Sequence, residues 1–594
     1  MPLPQKPSAN LYGGMADGEI GSVARMSPSA TETQVKCQLC HNQENKIKSF
    51  FSGSNELPVE WKFFADFRWA KHVPYPSSCS GLSVSLACTS TMAPTEPAVA
   101  ATAPVKTRPR PASHFVLVPF VAQGHIIPLV DLARILAERG ARATVVTTPL
   151  NAARLRGAAE HAARAGLPLE LVELPFPPAG SGLPHDCQNA DMIADNYQFL
   201  PFFLALRELA GPFDAYVRAL APRPSCIISD WCNPWTAGVA TSLGIPRLFF
   251  HGPSCFFSLC ELMAANHGLY ERIATAGDED KHAVPGVPVP VTVTKANVPG
   301  FLIHPFLEEL RAEAMEAMCT ADGVVVNTFS DLEGKFLACY EAELGKPVWA
   351  LGPLCLSNRD AQATASRGTM AAAAAQKAIT AWLDEQAPGS VVYVSFGSIA
   401  RKLPKQLFEV GHGLEDSGEP FLWVVKEREA AAPEVREWLD ALEARTAGRG
   451  LVVRGWAPQL AVLSHRAVGG FVTHCGWNSL LEAIAHGVPV VTWPHFSDQF
   501  FNEQLAVDVL GVGVPIGVTA PVMIFDDETV PVAQEDVVRA VAALMGGGKE
   551  ADERRKKAKE YGEKARKAME QGGSSYENLT RFVHSFTRSE AKEH

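Results

Sequence analysis

Short apolar runs alternate along this chain with stretches of helical periodicity, and that alternation most constrains the fold. The pattern predicts a strand over His114 to Phe120, a helix over Pro128 to Arg139 and a strand over Ala143 to Thr148. Cys226 to Ser229 and Gly323 to Val326 predict further strands. Strands that are apolar throughout and are joined by helices are typical of a parallel sheet covered on both faces. The sequence therefore predicts an α/β body in this part of the chain.

A second series of the same kind begins after Leu351-Gly352-Pro353 and an Ala-rich polar stretch, Asn358 to Gln376, which we predict to be a linker. Helices are predicted over Gln406 to Ser417 and Asn478 to His486. The predicted strands are Ser390 to Phe396, Phe421 to Val425, Leu451 to Val453, Gly470 to Thr473 and Val488 to Trp493. We therefore expect two doubly wound parallel sheets, one in each half.

These changes in pattern divide the chain into five segments. The predicted segments are a disordered or mispredicted extension at 1–112, a first α/β domain at 113–355, a linker at 356–377, a second α/β domain at 378–570, and a C-terminal helix at 571–594. Within the last segment, the apolar periodicity of Tyr576 to Phe586 predicts a helix that packs on the first domain. The charged run Arg554 to Lys567 predicts a solvated helix without a functional role.

Two features of the extension have alternative interpretations. Met92 is a candidate for the true start of the protein, which would make the residues before it a product of gene prediction. Cys37-Gln38-Leu39-Cys40-His41 has the letters of a haem attachment motif. Because no other haem feature accompanies this motif, we interpret its cysteines as incidental.

Charge and cysteine content argue against several classes of protein. The 594 residues carry a formal net charge of -11, so no basic surface is expected to hold a nucleic acid. The 13 cysteines are odd in number and scattered, which favours a reducing compartment over a disulfide scaffold. No apolar run approaches the roughly 20 residues that span a bilayer, and the first residues lack a signal-peptide pattern. We therefore expect a cytoplasmic monomer without an integral membrane segment.

The segment from Trp456 to Gln499 contains residue types that suit a nucleotide-diphosphate sugar. In Phe471 to Ser479 an apolar strand ends, Gly476 permits a tight turn, and a helix begins with cap-type residues. The free N–H groups and the dipole of a helix N-terminus favour an anion. His474 lies at this turn, where it could donate to a diphosphate, although an isolated histidine is more often structural.

Other side chains of the segment suit the remaining parts of such a ligand. Glu482 can accept from two ribose hydroxyls, and Trp456 offers a flat face to a base. Asp498-Gln499 provides an acceptor and an amide for sugar hydroxyls. Each residue also has an ordinary alternative: a surface glutamate, a core tryptophan and a simple helix start. The combination favours a sugar-nucleotide site.

Several motifs of this segment resemble the signature box of the plant family 1 UDP-glycosyltransferases. They are Trp456-Ala457-Pro458-Gln459, His474-Cys475-Gly476-Trp477-Asn478-Ser479, Glu482 and Asp498-Gln499. Motifs elsewhere are similar to other fixed points of that family, namely Gln123-Gly124-His125-Ile126-Ile127-Pro128, Ser229-Asp230 and Val394-Ser395-Phe396-Gly397-Ser398. The resemblance implies an α/β protein of GT-B architecture, in which two Rossmann-like domains face a central cleft. The first domain would bind the acceptor and the second the UDP-sugar.

The resemblance also implies a role for each matching residue. Trp456 would stack on uracil, and Gln459 and Glu482 would hold ribose. The diphosphate would be bound by His474, Asn478, Ser479 and Ser398, and the sugar by Trp477, Asp498 and Gln499. Ala457 and Gly476 complete the implied donor-binding set. A glutamine at the end of the box is associated with glucose in this family, so UDP-glucose is the expected co-substrate.

His125 and Asp230 are the candidate catalytic residues. His125 follows the first strand, and Asp230 follows the strand at Cys226 to Ser229. Both would lie at the carboxyl ends of parallel strands, where open α/β sheets bind ligands. From position alone, a core histidine and a capping aspartate stay open as the alternative. The resemblance assigns them as the dyad in which His125 activates the acceptor hydroxyl, with inversion to a β-O-glucoside and without a metal or other cofactor.

Missing motifs argue against three other classes of enzyme. No Gly-x-Gly-x-x-Gly follows the first strand, and no Gly-x-Ser-x-Gly or P-loop occurs, which argues against a dehydrogenase, a serine hydrolase and a P-loop enzyme. A non-catalytic sugar-nucleotide-binding protein, or the same transferase with another UDP-sugar, remain as alternatives. The segments Asn151 to Arg154, Asp186 to Asp191 and His251 to Cys255 resemble the branch acting on flavonoids, terpenoids and steroids. Ala520 to Phe525 departs from that branch, so the individual acceptor stays open.

Overall fold

A computed structural model describes residues 113–587 of the chain, except for 178–182, 185, 194, 299–306, 358–369, 400–403, 520 and 522–529. The predicted extension, with Met92 and the Cys37 to His41 motif, therefore lies outside the described residues. Most of Ala520 to Phe525 lies outside them too. Both predicted sheets fall within the described part of the chain.

A parallel sheet forms the centre of the first half. The strands of this half are β1 (His114–Val118), β2 (Arg142–Thr147), β3 (Leu169–Glu173), β4 (Cys226–Asp230), β5 (Arg247–His251), β6 (His282–Ala283), β7 (Thr292–Val293), β8 (Gly323–Val326) and β9 (Val348–Ala350). Seven strands form this sheet in the order β3-β2-β1-β4-β5-β8-β9, and β6 and β7 form a separate antiparallel pair. The predicted strands are confirmed, with ends that differ by one or two residues.

The first sheet is buried on both faces. The side chains of Phe115 and Leu117 join one apolar cluster, whereas those of Val116 and Val118 join another. Alternate residues of one strand point to opposite faces, so an apolar run without alternation is what a doubly covered strand requires. The helices of this half are α1 (Gln123–Glu138), α2 (Pro149–Arg164), α3 (Phe199–Arg207), α4 (Ala210–Ala219), α5 (Thr236–Leu243), α6 (Cys255–Asn266), α7 (Leu269–Ala274), α8 (Glu308–Thr320) and α9 (Ser330–Leu344).

Helix α1 begins at Gln123 rather than at the predicted Pro128, so the prediction of its start was wrong. A proline inside a helix has no N–H to donate to the carbonyl four residues before it, which here is the carbonyl of Gly124. That carbonyl accepts instead from the side-chain amide of Asn478, which lies in the other half of the protein. The longer helix carries His125 in its first turn.

The second half repeats the same architecture. Its strands are β10 (Val391–Ser395), β11 (Phe421–Val425), β12 (Gly450–Arg454), β13 (Val468–Thr473), β14 (Val490–Thr492) and β15 (Gly513–Pro515), all parallel, in the order β12-β11-β10-β13-β14-β15. Its helices are α10 (Met370–Asp384), α11 (Pro404–Ser417), α12 (Pro433–Arg445), α13 (Gln459–Leu463), α14 (Trp477–His486), α15 (Gln499–Gln504), α16 (Gln534–Met545), α17 (Lys549–Met569) and α18 (Ser574–Ser585). The predicted doubly wound α/β class is therefore confirmed.

Part of the predicted linker is helical. Residues 358–369 lie outside the described residues, but α10 begins at Met370, inside the stretch Asn358 to Gln376. Alanine has the highest helix propensity of all residues. The Ala-rich composition that we interpreted as a linker signal is therefore better explained as a helix start.

The last two helices pack on different parts of the protein. The predicted charged helix is present as α17, and one face of it, with Ala551, Ala558, Gly562, Ala565 and Ala568, is buried. These residues are small and are separated in sequence by charged residues, so the composition of the segment does not reveal the buried face. On α18, Leu579 and Phe582 are buried with Phe115 of the first sheet. The helix therefore contacts the first half.

None of the helices in the described part of the chain is long and apolar enough to cross a membrane. The cysteines in that part are all free thiols.

Candidate active site

Both sheets reverse their strand order at one point, and the candidate residues lie at these two points. In the first sheet the reversal falls between β1 and β4, and in the second between β10 and β13. Open α/β sheets bind ligands at the carboxyl ends of the strands beside such a switch point. His125 follows β1 and Asp230 ends β4, whereas Ser398 follows β10 and His474 follows β13.

His125 and Asp230 form a hydrogen-bonded pair. Nδ1 of His125 lies 2.8 Å from Oδ2 of Asp230. The aspartate side chain is fully buried, whereas 28% of the histidine side chain is exposed. Burial lowers the pKa of His125, but the charge and hydrogen bond of Asp230 raise it, and its net pKa lies above the ordinary value. The pair thus consists of a fixed carboxylate and an accessible imidazole.

The buried carboxylate is held from its other side as well. Oδ1 of Asp230 accepts from the backbone N–H of Cys232 at 2.9 Å. The ring of Phe120 packs edge-on against the His125 ring, with 5.2 Å between centroids. These contacts leave the imidazole little freedom to rotate away from Asp230. No described residue hydrogen-bonds to Nε2 of His125, so this nitrogen is available to a ligand.

The donor atoms of His125, Asp230 and Cys232 lie within 4.8 Å of one another, which is close enough to surround a metal ion. Their chemistry suits a metal poorly. Both carboxylate oxygens of Asp230 already accept hydrogen bonds. Burial raises the pKa of the Cys232 thiol well above its ordinary value, so that it stays protonated and binds metals weakly. The set fits an acid–base pair better than a metal site.

In the second half, the ring of His474 lies between two glycines. A Cβ atom on Gly397 would come within 2.6 Å of the His474 ring, and one on Gly476 within 2.5 Å. Real Cβ contacts are not this short, so both positions require glycine for the ring to lie here. Gly397 also has φ +71°, a conformation that L side chains rarely adopt.

Helix α14 begins beside this ring at Trp477, one residue earlier than predicted. Asn478 and Ser479 therefore lie inside the first turn and do not cap it, contrary to expectation. Gly476 is the N-cap residue, and no side-chain cap is formed. The first-turn N–H groups of α14 remain available to an anion, together with the dipole of the helix.

Gln459, Ser479 and Glu482 form one hydrogen-bonded group. The amide nitrogen of Gln459 donates to Oε2 of Glu482 at 2.7 Å and to Oγ of Ser479 at 3.1 Å. Its amide oxygen accepts from the hydroxyl of Tyr393 at 3.3 Å. Nearby in sequence, Trp456 is 44% exposed and Ala457 is buried. An exposed tryptophan offers a face for stacking.

Asp498 and Gln499 lie at the start of α15, as predicted. Oε1 of Gln499 accepts from the backbone N–H groups of His495 and Phe496, so its amide nitrogen is the end that can donate to a sugar. Asn502 donates to Oδ2 of Asp498 at 2.8 Å. Burial raises the pKa of Asp498 to about 6, although the hydrogen bond from Asn502 lowers it.

Two predicted residues connect the halves through their side chains. Asn478 donates to the Gly124 carbonyl and accepts from Nδ2 of Asn327 at 3.3 Å. Nε1 of Trp477 donates to the carbonyl of Asn327 at 2.9 Å. The diphosphate contact of Asn478 and the sugar contact of Trp477 stay predictions. Ser398 is exposed, and its backbone carbonyl accepts from Arg428 at 3.2 Å.

Sequence reasoning missed Asn502 and the strained backbone of this region. Asn502 joins Asp498 to the carbonyl of Cys475 and accepts from Ser254 of the first half at 2.9 Å. Cys475 and Ser497 have φ of 63° and 58°, which is rare for residues other than glycine. Backbone strain of this kind clusters at functional sites. Neither residue type carries a sequence signal for it.

Comparisons with known proteins identify the family. A family profile described as "Glycosyltransferase, N-terminal domain" matches residues 113–356, and one described as "UDP-glucoronosyl and UDP-glucosyl transferase" matches residues 326–538. UDP-glycosyltransferase 73E1 of Stevia rebaudiana is 41% identical over 482 residues, which cover 80% of this chain and 97% of that relative.

Solved structures agree with this match. Glycyrrhiza uralensis UGT73P12 complexed with glycyrrhetinic acid 3-O-monoglucuronide is similar with a TM-score of 0.73 and 34% identity, over 80% of this chain and 96% of that one. Phytolacca americana UGT2 complexed with UDP-2fluoro-glucose and pterostilbene has a TM-score of 0.63 and 27% identity. The match covers 80% of this chain and 100% of that one. The chain therefore belongs to the plant family 1 UDP-glycosyltransferases and is a UDP-glycosyltransferase of GT-B architecture.

Proposed function

We propose that the protein transfers glucose from UDP-glucose to a hydroxyl of a small lipophilic plant metabolite, namely a flavonoid, another phenolic, a terpenoid or a steroid. The observation that carries this proposal is the pair of an accessible His125 and a buried Asp230 at the switch point of the first sheet. Two structural relatives support a small-molecule acceptor, because one was solved with pterostilbene and the other with glycyrrhetinic acid 3-O-monoglucuronide. The structure with pterostilbene also contains UDP-2fluoro-glucose, which supports glucose as the transferred sugar.

The geometry of the pair suits a general base. With its Nδ1–H donating to Asp230, the neutral imidazole presents the lone pair of Nε2 to the acceptor. Nε2 takes the proton of the acceptor hydroxyl while its oxygen forms a bond to the anomeric carbon. The bond from that carbon to the diphosphate breaks on the opposite side, and UDP leaves. The configuration is inverted, and the product is a β-O-glucoside.

We assign the donor to the second half, 378–570, and the acceptor to the first, 113–355. Trp456 stacks on uracil, and the group of Gln459 and Glu482 holds ribose. The first-turn N–H groups of α14, with His474, Asn478, Ser479 and Ser398, bind the diphosphate and stabilise its charge as UDP leaves. Trp477, Asp498 and the amide nitrogen of Gln499 contact the glucose. The positive N-terminal end of the α14 dipole takes the role that a metal ion has in other transferases.

Product formation with matched variants tests the proposal. The purified protein is incubated with UDP-glucose and a panel of phenolics, terpenoids and steroids, and released UDP and glucosides are measured. The wild type is expected to release UDP only with an acceptor. His125→Ala is expected to bind UDP with unchanged affinity and to lose at least 100-fold in kcat, as removal of a general base does. Near-normal turnover of this variant would refute the assignment, and UDP-glucose binding without transfer to any acceptor would refute the proposed function.

A further inference from the structure

Glu261 is a buried carboxyl beside the catalytic pair, and the proposed mechanism does not use it. It lies on α6, with 9% of its side-chain surface exposed. No described residue hydrogen-bonds to its carboxyl group. Burying a carboxyl without a hydrogen-bond partner costs free energy, and buried polar groups are normally hydrogen-bonded. The carboxyl group of Glu261 is therefore available to a polar group of a ligand.

The nearest basic group is Nε2 of His251, 3.9 Å from Oε2 of Glu261. The tautomer of His251 follows from its other nitrogen. Oγ of Ser258 donates its single proton to the Ser254 carbonyl at 2.8 Å, so it accepts from Nδ1–H of His251 at 2.7 Å. Nε2 of His251 therefore presents a lone pair toward Glu261. The distance of 3.9 Å is too long for a hydrogen bond between them.

The His251 imidazole is neutral near pH 7, whereas the Glu261 carboxyl is protonated in about half of the molecules there. Burial lowers the pKa of His251 to about 4, so its imidazole is uncharged near pH 7. Burial also raises the pKa of Glu261 to about 7, although the charge of Arg311 acts in the opposite direction. The two groups thus do not form an ion pair. They present an acceptor nitrogen and a carboxyl that can donate or accept.

A third polar group, Trp231, directly follows the catalytic Asp230. It is 8% exposed, and its indole N–H is buried without a hydrogen-bond partner. Its ring lies against the ring of His251, with 5.7 Å between centroids. An unpaired buried N–H beside an imidazole nitrogen that can accept is the pattern that a hydroxyl group satisfies, because a hydroxyl both donates and accepts.

These groups adjoin the reaction centre. Gly252, which follows His251, lies so close to the base that a Cβ atom on it would be 3.3 Å from Cε1 of His125. The charge of Asp498 acts on both His125 and Glu261, so these three side chains lie near one another. An acceptor that places its reacting hydroxyl at His125 would therefore bring a neighbouring part of its skeleton to Glu261.

We propose that Glu261, His251 and Trp231 form a polar subsite that binds a second hydroxyl of the acceptor, one that does not receive the sugar. This inference rests on the proposed function, since it assumes that the first half binds the acceptor. A hydroxyl oxygen about 2.8 Å from both Nε2 of His251 and Oε2 of Glu261 fits across the 3.9 Å between them. The subsite selects acceptors that carry two hydroxyls over those that carry one.

The test compares acceptors in matched pairs. Each pair is a dihydroxy compound from the acceptor panel and its analogue with the second hydroxyl replaced by hydrogen. For wild type, kcat/KM is expected to be about 10- to 100-fold higher with the dihydroxy member of at least one pair, which is the range for a hydrogen bond to an ionisable group. Glu261→Leu should remove this preference by lowering kcat/KM for the dihydroxy member only. Glu261→Gln, which can still donate and accept, should retain part of it.

Controls separate this role from a structural one. Glu271→Gln changes an exposed carboxyl on the adjacent helix α7 and should leave the preference intact. UDP affinity should be unchanged in every variant. A Glu261→Leu effect that is equal for both members of every pair, or no effect, would overturn the inference. If Glu261→Leu fails to fold, the test uses the kcat/KM ratios of wild type and Glu261→Gln for the same pairs. A wild type that shows no preference for acceptors with a second hydroxyl would then overturn the inference. Failure of the proposed function is distinct, because wild type would then glucosylate no acceptor.

Discussion

Nδ1 of His125 lies 2.8 Å from Oδ2 of Asp230 at the switch point of the first sheet, where Asp230 ends β4 and His125 follows the neighbouring strand β1. The sheet fixes the carboxylate, because Asp230 is the last residue of a fully buried strand. The histidine lies in the first turn of α1 and keeps part of its ring exposed. One partner is thus held rigidly, and the other can reach a substrate.

Asp230→Asn should separate orientation from binding. An amide can donate to Nδ1 and so favour the tautomer with the proton on Nε2, which cannot accept a proton from the acceptor. We expect kcat to fall by about 10²- to 10⁴-fold, while UDP affinity stays within twofold. Steady-state kinetics and UDP titration measure the two quantities. Loss of UDP affinity in parallel with kcat would contradict the assignment.

The pH dependence of kcat/KM should report the same pair. His125 must be neutral to act as a base, and Asp230 raises its pKa above the ordinary value of 6.5. Activity should therefore rise with pH through a limb above pH 6.5. In Asp230→Asn the raising charge is absent and burial lowers the pKa, so the limb of the residual activity should move to lower pH. If the pH at which kcat/KM rises is the same in both proteins, a group other than His125 controls that rise.

The sequence predicts the sheets well because their strands are buried on both faces. Such strands are continuous apolar runs, which can be identified without knowing their neighbours in the fold. The prediction of where α1 starts was wrong because proline is common in the first turn of a helix. Pro128 instead lies inside α1, and the Gly124 carbonyl that it leaves without a helical donor accepts from Asn478 of the other half. Residues that matter through distant neighbours show no local pattern. Glu261 resembles any helix glutamate until β5 and α15 place His251 and Asp498 beside it.

Trp456→Ala tests the base-stacking role. The indole is 44% exposed on the segment between β12 and α13, and stacking on a base contributes about 1–3 kcal/mol. The Kd for UDP should therefore rise by about 5- to 150-fold in calorimetric titrations, and Trp456→Phe should retain most of the affinity. Tyr197→Ala removes a more exposed ring from the first half, since Tyr197 is 78% exposed, and should leave the Kd unchanged. Equal effects of both alanine variants would exclude a specific stack.

Gly397→Ala tests the placement of His474. The added methyl would meet the His474 ring at 2.6 Å, so the ring must move away from the start of α14. We expect the KM for UDP-glucose to rise by about tenfold or more, which corresponds to a loss of about 1.4 kcal/mol. Gly389→Ala is the matched control, because Gly389 has a similar φ of +68° but nothing within 4 Å of its Cβ position. If both variants raise KM alike, backbone strain and not the histidine is responsible.

Glu261→Gln should change how stability depends on pH. The pKa of Glu261 is about 7 in the folded protein and about 4.5 when unfolded, so between these values the folded state binds more protons. Wild-type stability from this group therefore falls as pH rises from about 4.5 to 7, by roughly 3 kcal/mol. Glutamine does not titrate, so the variant should gain stability relative to wild type between pH 5 and pH 8. Urea unfolding of both proteins at the two pH values measures this, and a constant difference would show that Glu261 does not titrate in this range.

Phe582→Ala tests whether the C-terminal helix stabilises the first half. The Phe582 ring is fully buried, stacks on Phe115 with 5.4 Å between centroids and meets Trp349 edge-on at 5.3 Å. Truncating a buried phenylalanine removes apolar burial and leaves a cavity, so unfolding free energy should fall by about 3–5 kcal/mol. Phe586→Ala is the control, because this ring is only partly buried and should cost less. Since α18 follows the second half in sequence but packs on the first, a loss of that size in urea unfolding would mean that the chain end stabilises the sheet that carries Asp230.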